Sequence, residues 1–510
     1  MSKYYSGESI REREYNSGTM YAGKLSKLIE TRSLPIQRSV IDNHACSLTL
    51  SLNVLNYIAD SVTICHSPPG CIDDIFPLAY AGAKGRSLEM NIPFQWEMKN
   101  IHFCSTNMNE TSIIFGGEGK LYNAIIEANK RYNPQIIFVL GSCTSAIIGD
   151  DIDSVCKSAG EEIGDSVIIL PIHSHGFQTL SYSNAYDMVW DKIIKNLVQP
   201  PEIKYDDLVT CFVPASVTIP DMEEIERLLN KIELDVQFIP DMQNIDTIKA
   251  LSEATLNTSL CASNAHHAMR LLKERFGMPY VQSPFVIGVD LTSKWLLEIG
   301  KMTGRENEAK QLISSEIERI TPELDKLRSK FKGKTAYISA NHCKTIGYTT
   351  MCQELGLDII GAGFHMADDI SLEYEKKFLN SVGDISVVVG SPLYEHLSHI
   401  KKLNPDVILA HPEIAPLFSA VGLRSKMTYN YYNQGAHAGF QGLIDTGKRL
   451  CGVMTNPITE KLFKFNRNDK CIDLATIPHL NEQDTLMYIN QFNFFNSKCC
   501  GRKMGGCNHV

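Results

Sequence analysis

Three cysteines in the first third of the chain lie in segments that could present a thiolate to a metal. Cys46 follows Asn43-His-Ala, Cys71 ends the run His66-Ser-Pro-Pro-Gly, and Cys143 follows Gly141-Ser. Proline and glycine favour a turn, which would present the Cys71 thiol from a loop. The wide separations form no local C-x2-C pair, so spacing alone favours buried structural cysteines over a metal site.

The chain contains 15 cysteines among its 510 residues. Structural disulfides are not expected in a reducing compartment, and a chain of this length does not need them for stability. Thiolates that bind metal are the alternative. Most of the cysteines are expected to be small hydrophobic core or surface residues. This group comprises Cys65, Cys104, Cys156, Cys211, Cys343, Cys352, Cys451 and Cys471. For Cys499, Cys500 and Cys507, metal binding and a disordered tail both stay open.

Composition excludes several classes of function. The net charge of −9 argues against a general nucleic-acid surface, which would be basic. No run of about 18 apolar residues appears, so we expect no membrane span. The polar segment 1–14 lacks the apolar stretch of a secretory signal, and the sequence therefore predicts a cytoplasmic protein.

Short apolar, β-branched runs alternate with amphipathic stretches along the chain. This alternation predicts an α/β fold with parallel sheets flanked by helices. Helical spacing predicts helices over Asp221–Ile232 and Asn264–Phe276. The expected strands are Gln135–Leu140, Ser166–Leu170, Leu208–Val213, Asp235–Ile239, Thr335–Ser339, Asp358–Ile360, Ile385–Val389 and Asp406–Ala410.

Breaks near Pro200-Pro201 and Lys330–Gly333 divide the chain into three Rossmann-like units. The expected divisions are an N-terminal arm over 1–40, α/β domains over 41–205, 206–330 and 331–480, and a polar tail over 481–510.

Polar and sulfur-bearing residues follow several of the expected strands. Cys143, Asn341–Lys344 and His411 each come directly after one. Ligands of doubly wound sheets bind at the carboxyl ends of the strands, so these positions are candidates for function. Asp150 or Asp151 is expected to cap the helix after Cys143.

Several motifs occur in an order that resembles the nitrogenase component 1 family, and in particular its α-type chains. The resemblance covers roughly residues 41–450. Its motifs are Gly70-Cys71, Phe115–Leu121, Cys143 with Ile148–Ile152, Leu256–Cys261, Glu354–Gly363 and Asn433–Gly442.

The resemblance implies two iron–sulfur sites. Cys46, Cys71 and Cys143 would hold this chain's half of a cluster shared with a β-type subunit, either an [8Fe–7S] P-cluster-like group or a [4Fe–4S] cluster. Three thiolates are fewer than the four that complete a cubane, which itself predicts a partner, with α2β2 as the expected assembly. Cys261 and His437 would hold opposite ends of a larger cofactor like the iron–molybdenum cofactor, with its heterometal open.

Simpler interpretations of the second pair also stay open. Cys261 could be a buried cysteine at a junction between a strand and a helix. His437 could be a loop histidine, although its small neighbours leave room for a bulky ligand.

The expected cofactor pocket departs from that of the dinitrogen-reducing members. Tyr182 and Tyr186 stand where those enzymes carry a glutamine and a histidine, counted from the pair Gly176-Phe177. A tyrosine, with a pKa of about 10, is a weaker proton source than histidine, at about 6.5. His342 and Lys344 replace glycines and arginines, and they are candidates for holding an anionic cofactor.

The stretch Glu413–Phe418 lacks the lysine expected to grip an organic acid on the cofactor. The ligand or substrate is therefore expected to differ, with Tyr182, Tyr186 and His342 as candidate catalytic residues.

These features predict an enzyme subunit that receives electrons from an ATP-dependent [4Fe–4S] reductase. The ATPase must be a separate protein, because this chain has no G-x-x-x-x-G-K-[ST] loop. Candidate substrates are dinitrogen and a carbon–sulfur compound such as a methylthio-alkane. The alternatives are a scaffold for cofactor assembly and, more weakly, a tetrapyrrole reductase.

Overall fold

The structure is a computed structural model. It describes residues 20–21, 46–73, 99–176, 182–214, 217–364, 374, 377–378, 380–383, 385–389, 393–411, 414–420, 423–428 and 435–455. Its strands are β1 Met20–Tyr21, β2 Ser61–His66, β3 Ile101–Ser105, β4 Ile136–Gly141, β5 Ile168–His173, β6 Leu208–Phe212, β7 Asp235–Ile239, β8 Leu256–Ser259, β9 Tyr280–Val281, β10 Thr335–Ala340, β11 Asp358–Phe364, β12 Ser386–Val389, β13 Val407–Ala410 and β14 Ser425–Met427.

Helices occupy most of the connections between these strands. They are α1 Ser47–Leu55, α2 Gly70–Asp73, α3 Glu110–Phe115, α4 Glu118–Tyr132, α5 Cys143–Ile148, α6 Ile152–Ile163, α7 Tyr182–Asn196, α8 Ile219–Asn230, α9 Ile245–Lys249, α10 Ala262–Phe276, α11 Gly288–Thr303, α12 Glu306–Phe331, α13 His342–Glu354, α14 Leu393–Leu403, α15 Ala415–Ala420 and α16 Gly439–Thr455.

Three sheets organise the described part of the chain, and they confirm the predicted α/β class. Their strand orders are β3-β2-β4-β5, β7-β6-β8-β9 and β1-β12-β11-β10-β13-β14. All pairings are parallel except that of β1 with β12. Each sheet draws its strands from one expected domain, with β1 added from the predicted arm. The exact domain boundaries stay a prediction, and the predicted tail lies outside the described residues.

The helix predicted over Asp221–Ile232 is α8, and it begins earlier, at Ile219. Thr218 and Asp221 form a capping box, in which the Thr218 hydroxyl accepts from the Asp221 N–H at 3.3 Å and Asp221 Oδ2 accepts from the Thr218 N–H at 2.9 Å. Because of this capping box, the helix begins before the periodic apolar residues from which it was predicted.

The largest apolar core joins the second and third sheets. It includes α11, α12, α13 and α16, whose buried faces meet strands of both sheets. A second core lies between the first and second sheets, where α7 packs against α10. Side chains from different sheets therefore meet in these shared cores. Among the described helices, none has the length and hydropathy needed to cross a membrane.

Candidate functional site

Each of the three N-terminal cysteines is positioned by the start of a short helix. Cys46 caps α1, where its Sγ accepts from the Leu48 N–H at 3.3 Å. Cys71 lies in α2, directly after the turn that follows β2. Cys143 is the first residue of α5 and comes two residues after β4, as its sequence position predicted.

Gly176 brings two of these thiols to one place. A Cβ atom added at Gly176 would lie 3.4 Å from both Cys46 Sγ and Cys143 Sγ, so the two sulfurs flank a position without a side chain. Cys46 and Cys71 pack against the same apolar core, which contains Cys65. Burial raises the pKa of Cys65, and the thiols of Cys71, Cys104 and Cys46 add to that shift. Cys46 and Cys143 therefore lie close together, and Cys71 lies near the same buried Cys65 as Cys46 does.

These side chains do not converge on a single ion. In the part of the chain that the structure describes, no group of three or more His, Cys, Asp or Glu side chains is arranged to hold one metal ion. A multi-iron cluster instead takes one thiolate at each of several irons, so its ligands stand apart. The thiols of Cys46 and Cys143 beside Gly176, with Cys71 on the same apolar core as Cys46, suit such a cluster, provided that further ligands come from another chain.

A buried polar network supports this region. His66 bonds through Nδ1 to Thr106 Oγ1 at 3.0 Å and through Nε2 to Asp150 Oδ2 at 2.8 Å. Asp150 also accepts from the Gly117 N–H. Burial lowers the pKa of His66, against the opposing effect of Asp150. Of the two predicted caps, Asp151 is the one that caps α6.

An apolar surface lies beside the Cys143 helix, where α3 contacts α5. Ile114, Phe115 and Ile147 are 72%, 82% and 75% exposed, and Ile113 is 40% exposed. Contiguous exposed side chains of this size mark interaction sites in soluble proteins. We call these four residues the apolar patch.

Cys261 and His437 are connected by one short backbone segment. Cys261 is fully buried between β8 and α10, and it forms a β-bridge with Phe285. Two residues further on, Ile287 forms a β-bridge with Gly439. The segment Phe285–Ile287 therefore pairs with Cys261 and with the chain that follows His437. We call it the bridging segment.

The backbone around His437 is held by acidic side chains. Asp221 Oδ1 accepts from the N–H groups of His437 and Ala438, at 2.5 Å and 2.7 Å. The Gly439 N–H donates to the Val286 carbonyl at 3.1 Å. Gly439 has a φ of 72°, and a Cβ there would meet Glu224 Cγ at 2.5 Å, so this position requires glycine.

The His437 ring is buried, and burial favours its neutral form. Burial lowers its pKa to about 3; the Asp221 carboxylate opposes this shift, while Arg449, Lys426 and Lys344 reinforce it. Its Nδ1 lies 3.2 Å from the Tyr348 hydroxyl. A neutral imidazole keeps a lone pair on one nitrogen, which is the form that binds metals.

A small cavity of about 10 Å³ adjoins this ring, which is room for about one water molecule. Its lining comprises Val217, Asp221, Leu260, Phe285, Lys344, Tyr348, His437 and Ala438. Burial lowers the pKa of Lys344 to about 8, while Cys261 and Asp221 oppose the shift. A thiol, an imidazole and a lysine suit an anionic metal cofactor, so the donor chemistry fits the group that the family resemblance implies.

Of the three predicted catalytic residues, the structure describes the side chain of Tyr186 alone. Tyr186 is buried and lies near Cys261; burial raises its pKa, and a thiolate at Cys261 adds to the shift. Tyr182 begins α7 and His342 begins α13, but both side chains lie outside the described residues. Cys471, expected to be a core or surface residue, and Cys499, Cys500 and Cys507, for which metal binding stayed open, also lie outside them.

Four residues of the second site were not predicted. Asp221 and Tyr348 line the cavity, while Lys426 and Arg449 are near enough to shift the His437 pKa. One sequence signal was present for Tyr348, because it follows Lys344 by one helical turn and so shares its face.

Comparisons with known proteins identify the family of the chain. The family model described as nitrogenase component 1 type oxidoreductase matches residues 46–455. The chain therefore belongs to the nitrogenase component 1 type oxidoreductase family, and this family implies iron–sulfur clusters.

Its curated relatives include two kinds of protein. A nitrogenase molybdenum–iron protein alpha chain from Methanothermobacter thermautotrophicus is 27% identical over 457 residues, covering 87% of this chain and 93% of that protein. The nitrogenase iron–molybdenum cofactor biosynthesis protein NifE from Nostoc sp. is 27% identical over 456 residues, covering 87% of this chain and 89% of that protein. The solved structure of nitrogenase Cp1 at pH 5 matches with a TM-score of 0.69 at 23% identity, covering 83% and 91%, and so shares the fold.

Proposed function

We propose that this chain is the α-type subunit of a nitrogenase-like iron–sulfur reductase, with a complex cofactor held between Cys261 and His437. The observation that carries the proposal is the bridging segment, which pairs with Cys261 at one end and with Gly439 near the other. The two candidate ligands are thereby held in one backbone framework before anything binds. Such preorganisation suits a resident cofactor.

The N-terminal cysteines would relay electrons to this cofactor. Cys46, Cys71 and Cys143 would bind a [4Fe–4S] or P-cluster-like group with thiolates of a β-type subunit, in an α2β2 assembly. The apolar patch adjoins the helix that starts at Cys143, and it gives a partner a surface close to the cluster. An ATP-dependent [4Fe–4S] reductase would deliver the electrons.

The residues of the cofactor cavity suggest how it would operate. Lys344 would balance the charge of an anionic cofactor, and the buried frame of Phe285 and Tyr348 would exclude water. Tyr186 keeps its proton at neutral pH, since its pKa is raised, and so would donate a hydrogen bond. Dinitrogen and a carbon–sulfur compound such as a methylthio-alkane are the candidate substrates.

A scaffold for cofactor assembly is the second candidate. It is favoured by Tyr186, a buried phenol at a place where a more acidic proton donor is expected in a dinitrogen-reducing enzyme. The Nostoc relative is named as a cofactor biosynthesis protein, so chains of similar sequence serve that role.

One anaerobic experiment separates the two functions. The complex is purified with its native partners, and iron, molybdenum and vanadium are measured per subunit alongside EPR spectra. MgATP and the reductase are then added with dinitrogen or a methylthio-alkane. Turnover with retained metal supports the reductase. Metal transfer to a cofactor-free acceptor, without turnover, supports the scaffold. An iron-free intact complex would contradict both.

A further inference from the structure

Gln441 bonds to residues of three helices at the start of α16, four positions after His437. Its backbone N–H donates to Glu224 Oε1 of α8 at 3.1 Å. Its side-chain carbonyl accepts from Arg319 of α12 at 2.9 Å, and its side-chain amide donates to Asp445 Oδ1 of α16 at 2.8 Å. An arginine can only donate and a carboxylate can only accept, so these partners fix the orientation of the amide.

Two of these partners are connected to each other through a buried carboxylate. Arg227 donates from Nε to Glu224 Oε2 at 2.8 Å and from Nη1 to Glu316 Oε1 at 2.6 Å. Arg319 donates from Nε to Glu316 Oε2 at 2.9 Å, and Glu316 is almost fully buried. The bonds therefore close on themselves and connect α8, α12 and α16. We call Glu224, Arg227, Glu316, Arg319 and Gln441 the Gln441 ring.

Asp445 extends this connection to the backbone beside His437. Its Oδ1 accepts from the Gln441 side chain, and its Oδ2 accepts from the Ala436 N–H at 3.2 Å. The Ala436 carbonyl accepts from Arg449 Nη2 at 2.8 Å. Both polar backbone groups of the residue before His437 are therefore held by side chains of α16, one of which is oriented by Gln441.

We propose that Gln441 is a positioning residue, which joins the Gln441 ring to Asp445 and thereby fixes the backbone that carries His437. Residues that orient a metal-binding side chain typically contribute about 10–100-fold to metal affinity. The positioning is a property of the chain alone, whereas the group that His437 would hold rests on the proposed function.

The first test measures hydrogen exchange of the backbone amides in the full chain without its cofactor. Gln441→Glu keeps an acceptor for Arg319 but places a second carboxylate against Asp445. The ring borders an open surface cleft of about 430 Å³, so water can reach a broken bond. We expect exchange of the amides of residues 436–441 to rise by about 10–100-fold.

A second substitution reverses the direction of the lost bond. With Asp445→Asn added, the new amide donates to the carboxylate introduced by Gln441→Glu, while its carbonyl still accepts from Ala436. The net charge of this double variant equals that of the unsubstituted chain, and we expect its exchange to return to the original rate. Unchanged exchange in Gln441→Glu, or no recovery in the double variant, would overturn the proposal.

Two controls separate this effect from general unfolding. Gln311→Glu, on the exposed face of α12, adds the same charge and should leave the exchange of residues 436–441 unchanged. The amides of the buried strand β4 report whether each variant stays folded. If Gln441→Glu unfolds the chain, Gln441→Ala removes both side-chain bonds without adding charge and provides the same comparison.

The second test uses the anaerobically purified complex. We expect Gln441→Glu to speed iron loss to bathophenanthroline by about 10–100-fold and to alter the EPR spectrum of the cofactor. The double variant with Asp445→Asn should reverse both changes. Normal iron retention and an unaltered spectrum in Gln441→Glu would contradict a role at the cofactor. An iron-free complex of the unsubstituted chain would count against the proposed function, while amide exchange would still decide the role of Gln441.

Discussion

Asp221 and His437 are 216 residues apart in sequence, yet Asp221 Oδ1 accepts the His437 backbone N–H at 2.5 Å. The same carboxylate caps α8 through Thr218 and lines the cofactor cavity. One acidic side chain therefore joins the second sheet unit to the segment that carries the candidate histidine ligand. Because Asp221 accepts with both oxygens, an amide in its place leaves one set of donors without an acceptor.

We expect Asp221→Asn to destabilise the protein by about 1–3 kcal/mol, since buried donors lose their acceptor. The complex should also lose most of its iron, even under conditions where the variant stays folded, because the His437 segment loses its fixed position. Urea unfolding and iron analysis of the purified complex measure the two effects. Glu223→Gln, on the exposed face of the same helix, is the matched control. Retention of full iron content in Asp221→Asn would contradict the positioning role.

Gly176→Ala tests the cluster site between Cys46 and Cys143. The new methyl group would lie 3.4 Å from both sulfurs, an ordinary contact in the metal-free chain. We expect the free energy of unfolding of that chain to change by less than about 1 kcal/mol. The cluster should fail to bind, because the methyl group occupies the space between its ligands.

Iron content and the visible absorption of the clusters measure the outcome of Gly176→Ala. Gly119→Ala serves as the control, since a Cβ there would meet nothing within 4 Å. Normal iron in both variants would place the cluster elsewhere.

Asp150→Asn should weaken the support of the cluster region. The carboxylate accepts from Gly117 and bonds to the fully buried His66 ring, so its loss is expected to cost about 1–3 kcal/mol. Asp151→Asn changes the adjacent residue, an exposed helix cap, and should cost less, about 0–1 kcal/mol. Thermal unfolding of the two variants provides the comparison, and equal losses would argue against the His66 network.

Glu316 predicts a specific dependence of stability on pH. It is 1% exposed and bonds to Arg227, Lys231 and Arg319, which lower its pKa from 4.5 to about 2 against the opposing effect of burial. A carboxylate with a lowered folded-state pKa stabilises the protein above the unfolded value. That contribution is lost as the pH falls from about 4.5 to about 2.

Glu316→Gln should therefore cost about 2–4 kcal/mol at pH 6, a range that allows for the partial exposure of its partners. The difference from the unsubstituted chain should shrink at pH 3. Urea unfolding at the two pH values measures it, with the exposed Glu318→Gln as control. A cost that is independent of pH would rule out this linkage.

Ile147→Asp should disrupt association with a partner and leave the chain folded. Ile147 is 75% exposed in the apolar patch, so it contributes little to the stability of the free chain. We expect it to stabilise the complex by becoming buried against another protein. Size-exclusion chromatography of the co-produced subunits, together with reductase-dependent ATP hydrolysis, measures the effect. Ile203→Asp, at a second exposed isoleucine, should change neither. Unaltered association of Ile147→Asp would remove the apolar patch from the interface.

The strands were predictable where short runs rich in apolar and β-branched residues stand out in the sequence. β4 and β7 lie within one residue of the predicted runs. β2, with the sequence Ser61-Val-Thr-Ile-Cys-His66, was missed although all six residues are buried. Its polar side chains break the apolar run, and their burial depends on partners such as Ile58, whose carbonyl accepts from Ser61.

Local sequence by itself determined the α/β class, the positions of Cys143 and Lys344 after strands, and the ordered motifs that define the family. These features depend on short-range periodicity and chain order. The tertiary structure decided which distant residues meet: Gly176 between two thiols, Asp221 at the His437 backbone and Tyr348 at its ring. Such contacts depend on how elements distant in sequence pack together, which no local spacing encodes.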